Sequence, residues 1–272
     1  MSRRSGSETC IVCALTTGIT RGRELADSLW LRLSLAFVWL STAVHVVHPY
    51  YRALGGHALD QLGLPHALMW IACAFELVLG LYVLLRPPDR ALTALQVGLV
   101  IFFTLVLAVL DPPLMVHPLG ALTKNIPFLT AAVAAHLLYR SGSPTAVERT
   151  LRFGVASVWI TEGFFPKIFF QSSWERHFVA EHGFGAFEPG PTLVVVGVLE
   201  ALSGVLLLLL PARPRRFLLY LQAAALLVLP AWVVSHEPLL WLHPFGPLEK
   251  NVPILVATLL VARRCVGSEA TT

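Results

Sequence analysis

The stretch His117-Pro-Leu-Gly-Ala-Leu-Thr-Lys-Asn-Ile-Pro127 returns later in the chain as His243-Pro-Phe-Gly-Pro-Leu-Glu-Lys-Asn-Val-Pro253. Matches continue around it. Leu31-Arg32 pairs with Leu151-Arg152, Val38-Trp39 with Val158-Trp159, Glu76 with Glu200, Gln96 with Gln222, and Asp111-Pro112 with Glu237-Pro238. The offset rises from 120 to 124 to 126, each step falling in a loop. Polar residues that recur in a fixed order are not a by-product of hydrophobicity, so the chain is a tandem duplication. Whatever it folds into must be made of two copies of one unit.

That unit belongs in a bilayer. Hydrophobic residues make up 56% of the chain and charged ones 13%, against about 25% charged in soluble domains, and the mean hydropathy is +0.71. A hydrocarbon core about 30 Å thick needs about 20 apolar residues per helix. Suitable runs lie near 29–48, 66–85, 91–110, 121–139, 151–170, 191–210, 215–235 and 246–262. The expected fold is therefore all-α: a polytopic membrane protein with eight transmembrane helices in two fused four-helix bundles. Residues 1–28 read as a cytoplasmic N-terminal tail, 29–140 as the first four-helix repeat and 150–264 as the second. The fourth and eighth runs are short and begin beside a proline, so part of each approach should be buried non-helical backbone. Four helices per unit insert both halves the same way round, related by an axis along the membrane normal.

Charge sets the orientation. Fifteen of the 20 Lys and Arg fall on the side that carries both termini. Only Arg52, Lys124, Lys167, Arg176 and Lys250 lie on or toward the other, so both termini are expected in the cytoplasm. The pI of about 9.1 does not point to nucleic acid, because the basic residues flank apolar runs rather than form a binding face. Histidines divide the opposite way, with only His136 on the cytoplasmic side. Either outer loops accept His where Lys and Arg are excluded, or these residues serve an outward site for protons, a metal or a quinone head group. His45 and His48 share a helix face only loosely and have no counterpart in the second half. The four cysteines suggest no disulfide framework, and the Cys10/Cys13 pair, in isolation, is a weak signal for a metal site or redox chemistry that leaves its role open. No zinc spacing, phosphate-binding loop, dinucleotide fingerprint or hydrolase triad occurs.

An ionisable side chain inside a span costs about 2.5–3.5 kcal/mol on insertion scales and marks a partner or a cavity. Glu76 and Glu200 sit near the middle of the second and sixth runs, and Glu162 near the middle of the fifth with Lys167 beyond it. Lys124 and Lys250, followed by Asn125 and Asn251, precede the short fourth and eighth runs. The simplest pairing keeps each acid and base within its own bundle, Glu76 with Lys124 and Glu200 with Lys250, Glu162 and Lys167 joining the latter. Such pairs either lock helix packing or line a polar pocket where Glu200 exchanges protons and Lys250 holds an anion or quinone oxygen. His117 and His243 either stabilise the turn into the next helix, for which His-Pro-x-Gly is apt, or act as ligands.

The segments Val-Trp-Ile-Thr-Glu-Gly-Phe-Phe-Pro-Lys (158–167), Leu-Glu-Ala-Leu-Ser-Gly (199–204) and 243–253 resemble the DoxX-like family, in the DoxX/DoxD group of bacterial four-helix membrane proteins. The resemblance covers both halves. It implies a four-helix bundle per unit and a place in the bacterial inner membrane. Relatives in the wider group are linked to thiosulfate oxidation coupled to quinone, which implies quinone-linked redox metabolism or a membrane oxidoreductase partner. The first half departs from the pattern, with Thr42, Ala43, Val46 and Val47 where the second has Glu162, Gly163, Pro166 and Lys167. A single principal site therefore belongs in the second half. Two other classes stay open: a small-solute transporter using protonatable Glu76 and Glu200, and a ligand-free membrane assembly factor.

Overall fold

The computed structural model describes residues 5–110, 112–113, 117, 120, 123–183, 187–244 and 246–269, with side chains from Thr20 to Cys265 within these ranges. The side chains of Cys10 and Cys13 lie outside them. Among the described residues the structure is helical, without strands. The first repeat contributes α1 (Ser5–His45), α2 (Pro49–Gln61), α3 (Ala67–Leu85), α4 (Arg90–Leu110) and α5 (Asn125–Tyr139). The second contributes α6 (Pro144–Glu162), a π-helical turn (Gly163–Phe169), α7 (Ser173–His182), α8 (Pro189–Leu209), α9 (Ala212–His236), a 3-10 turn (Pro238–Leu242) and α10 (Asn251–Glu269). Much of the segment read as a tail is thus helix, continuous with α1.

Four helices, α3, α4, α8 and α9, are long and apolar enough to cross a membrane. A fifth span is counted if α1 from Thr20 and α2, bent by 87° at residues 46–48, form one broken span. The other four long helices, α1, α5, α6 and α10, carry polar or charged residues such as Asp27, Asn125, Glu148 and Arg264. These are the helices at the centre: α5 packs between α1 and α6, and α10 closes the ring against both. Each outer helix leans on one central helix, α3 on α1, α4 on α5, α8 on α6 and α9 on α10. Only 17–28% of the apolar windows of the outer helices is buried in protein, which is what a lipid-facing helix shows. A helix sheathed by others needs no uniformly apolar surface, so the central four can carry polar groups.

The two repeats share one interior. A single core runs through both repeats, joining Leu31, Leu35 and Phe128 with Val147, Leu151 and Ile254. The short turn between α5 and α6 forces these helices together as an antiparallel pair across the repeat boundary. Ion pairs reinforce the join, with Arg263 and Arg264 of α10 3.2 and 3.3 Å from the Asp27 carboxylate of α1. The Arg21 guanidinium donates to the carbonyls of Leu138 (3.2 Å) and Tyr139 (2.7 Å) at the end of α5, where a helix leaves acceptors unsatisfied.

Candidate functional site

Two local features build the site. The first is the end of α6. Pro166 has no N–H to donate and cannot continue an α-helical ladder, and the backbone widens into the π turn Gly163–Phe169, a form frequent at functional sites. Gly163 lies directly against Gly197 of α8, where a Cβ on either would strike the other's carbonyl oxygen. Backbone contact at that point lets Lys167 reach across. Its Nζ lies 3.0 Å from Glu200 Oε2 and 3.7 Å from Glu175 Oε1 on α7, all three side chains being nearly sequestered.

The second feature is the repeated His-Pro-x-Gly turn. Gly120 and Gly246 adopt φ of +68° and +53°, the left-handed region that favours glycine. Their N–H groups donate to His117 O (2.9 Å) and His243 O (3.0 Å). Both turns cross over. A Cβ on Gly120 would meet the Glu162 carboxylate of the second repeat, and one on Gly246 would sit 2.9 Å from Thr42 Cγ2 of the first. The two histidine rings meet between the repeats, their centroids 5.4 Å apart. Burial, with Lys124 adding repulsion, holds His117 down at about 4. Burial, with His117 and Lys250 adding to it, does the same to His243.

The crossing reverses the expected pairing. Lys124 donates to Pro247 O at 2.9 Å, and its acidic neighbours are Glu162, Glu200 and Glu249, not Glu76. Lys250 has Glu249 and Glu76 as its acidic neighbours, not Glu200. Each repeat thus completes its polar cluster with a lysine from the other. Spacing along the chain orders the groups within a repeat but carries no information about which repeat covers which.

Glu249 and Thr123, which occupy matched positions, show the consequence. Thr123 Oγ1 donates to Glu162 Oε1. In the other cluster the roles are exchanged. Thr42, matched to Glu162, donates to Glu76 Oε2 at 3.1 Å, and the fully buried Glu249 supplies the extra carboxylate, 3.3 Å from His45 Nδ1. The first half has therefore not lost its polar group; it receives one from the second. His45 becomes part of that cluster, whereas the His48 side chain caps α2 by accepting from Tyr50 N at 3.2 Å. Asn125 Nδ2 donates to Thr104 Oγ1 at 2.7 Å.

The second-repeat cluster borders a cavity. It measures about 270 Å³, and Lys124, Glu162, Lys167, Glu175, Glu200 and Asn251 gather in its wall. The rest is largely apolar and aromatic, with Trp159, Trp174, Phe178 and Trp232 prominent. Phe178 stands edge-on to Trp232 at 5.1 Å and stacks with Trp174 at 5.4 Å. Buried polar atoms here lack hydrogen-bond partners: Trp159 Nε1, Asn251 Oδ1 and Glu175 Oε2. In the first repeat the corresponding Trp39 Nε1 donates to Gln96 Oε1 at 3.2 Å. In the second, Gln222 instead donates to Ser203 Oγ at 3.2 Å, leaving its own Oε1 and the Trp159 donor unpaired. Unsatisfied buried polar groups are costly, and such a set around one cavity points to a ligand that satisfies them. No trio of metal-ligating side chains gathers among the described residues.

Sequence reasoning missed Glu175, Glu249, Thr42, Thr123 and Trp159. The Thr/Glu exchanges are visible once the repeats are aligned. Glu175 lies between the apolar runs, in a stretch that hydropathy leaves unmarked.

No curated protein and no solved structure matches the chain. The profile of the DoxX-like family matches it twice, over residues 36–133 and 156–259, and the chain belongs to that family as a tandem duplication.

Proposed function

We propose that this DoxX-like membrane protein spans the bacterial inner membrane eight times, keeps both termini in the cytoplasm, and binds a quinone head group in its second-repeat cavity in the service of a membrane oxidoreductase. The spans of the repeats at 29–140 and 150–264 are completed by the central helices, which the outer four shield from lipid. The skewed Lys and Arg distribution supports the orientation, leaving 1–28 on the cytoplasmic side.

The observation that carries the reading is the set of unpaired polar atoms in an aromatic-walled cavity beside two buried lysines. A quinone carbonyl oxygen accepts hydrogen bonds, and the Trp159 N–H and the Lys124 ammonium are donors in this wall. Trp174 and Phe178 offer faces for an aromatic head group. Glu200 holds Lys167 in place. Bound there, a quinone supplies an acceptor for electrons and protons.

Extraction of the purified protein followed by mass spectrometry tests this. The parent should carry quinone, Glu200→Gln and Lys124→Ala should lose it, and Lys250→Ala, across the repeat boundary, should keep it. Quinone absent from the parent, or retained equally by every variant, sinks the reading. Solute flux into proteoliposomes driven by a pH gradient would put transport in its place.

A further inference from the structure

We infer that Glu175 carries the exchangeable proton of the second-repeat cavity and takes it up from the aqueous end where α7 lies, an inference that rests on the cavity being the functional site. The local sequence makes the position of this carboxyl unusual. Ser172-Ser173-Trp174-Glu175 has the spacing of a capping box, in which the N-cap serine and the glutamate three residues on bond each other's backbone N–H. Only half of that box forms. Ser172 Oγ accepts from Glu175 N at 3.0 Å, but the Glu175 side chain turns away into the cavity. There Oε1 lies 3.7 Å from Lys167 Nζ, and Oε2 is buried with no hydrogen-bond partner.

The charges around it do not balance. Three carboxylates, Glu162, Glu175 and Glu200, share the cavity wall with two ammonium groups, Lys124 and Lys167. The closer contact of Lys167, at 3.0 Å, goes to Glu200. Glu162 is held by the Thr123 hydroxyl and faces Lys124. Glu175 is left with the longer contact and the open oxygen. A buried charge without a full partner is costly, and a proton on Glu175 removes it. Burial pushes this carboxyl up to about 7, Lys167 pulling down and Glu200 and Glu162 pushing up. The other face of the same helix carries the exposed His177 and Glu181. Farther along α7, the His182 ring lies 4.3 Å from that of His236 on α9. At the offset of 124 the first repeat carries Tyr51 in this place, its hydroxyl 3.3 Å from Cys73 Sγ, so this carboxyl has no counterpart there.

Infrared difference spectra of the purified protein, recorded across a pH titration without added ligand, test the assignment. The parent should show a protonated-carboxyl C=O band that titrates near neutral pH. Glu175→Gln should remove one component of it, and Glu175→Asp should keep that component with a shifted midpoint. A parent without such a band, or a band unchanged in Glu175→Gln, overturns the inference. If Glu175→Gln does not fold, an unmoved midpoint in Glu175→Asp overturns it equally. The spectra need no quinone, so this inference and the quinone reading fail separately.

Discussion

At the scale of single residues, the second repeat differs from the first by what its side chains are released to do. Trp39 and Gln96 satisfy one another, while Trp159 and Gln222 do not; the broken pair coincides with an open cavity. The same repeat depends on two glycines for its closest helix contact. Gly163→Ala should force α6 and α8 apart and lower stability by about 1–3 kcal/mol, read as a drop in melting temperature. Gly98→Ala in α4 is the control, because a Cβ there meets nothing within 4 Å and alanine is the better helix former by about 1 kcal/mol. Equal effects at the two positions would contradict the close packing. Glycine and proline loosen a helix wherever they fall in it, so a break near Gly163 and Pro166 follows from residue type; that it lets Lys167 reach Glu175 does not, since α7 enters only through tertiary folding.

At the scale of elements, the His-Pro-x-Gly turns act as matched straps, each laid over the first helix of the opposite repeat. They also place two neutral imidazoles in contact. Both are held near 4 in the folded protein, below the ordinary histidine value of about 6.5. The unfolded chain therefore binds protons that the folded one refuses as pH falls from about 6.5 to about 4, and stability must decline across that window. The melting temperature should fall over this range, and fall less in the His117→Gln/His243→Gln double variant. An identical acid profile in parent and double variant would show that the pair is not buried as described. The turn itself was readable from Pro and Gly; the meeting of the two rings was not, because they stand 126 positions apart.

At the scale of the whole molecule, duplication has made one protein with an inner ring and an outer sheath. The polar clusters lie where the repeats cross. Thr42 with Glu249, and Glu162 with Thr123, keep one added carboxylate in each cluster. Thr42→Glu alone should crowd a third acid into the first cluster beside Glu76 and Glu249, and Glu249→Thr alone should leave Lys250 and His45 facing too little negative charge. The double variant reproduces the arrangement of the second repeat and should recover much of the loss. A coupling of about 0.5–3 kcal/mol between the two sites is expected for groups in one network, measured by thermal unfolding. Strict additivity would mean that the residues do not share a cluster.

The amino-acid sequence alone determined the helical class, the duplication, the family and the identity of most buried charged groups, because periodicity, apolar content and the recurrence of polar residues are properties of the linear chain. Tertiary structure decided which acid meets which base, which helices are sheathed and which face lipid, and why one repeat encloses a cavity. Those outcomes rest on contacts across the repeat boundary, and a residue's position in its own helix sets only the direction it faces, never the helix that comes to meet it.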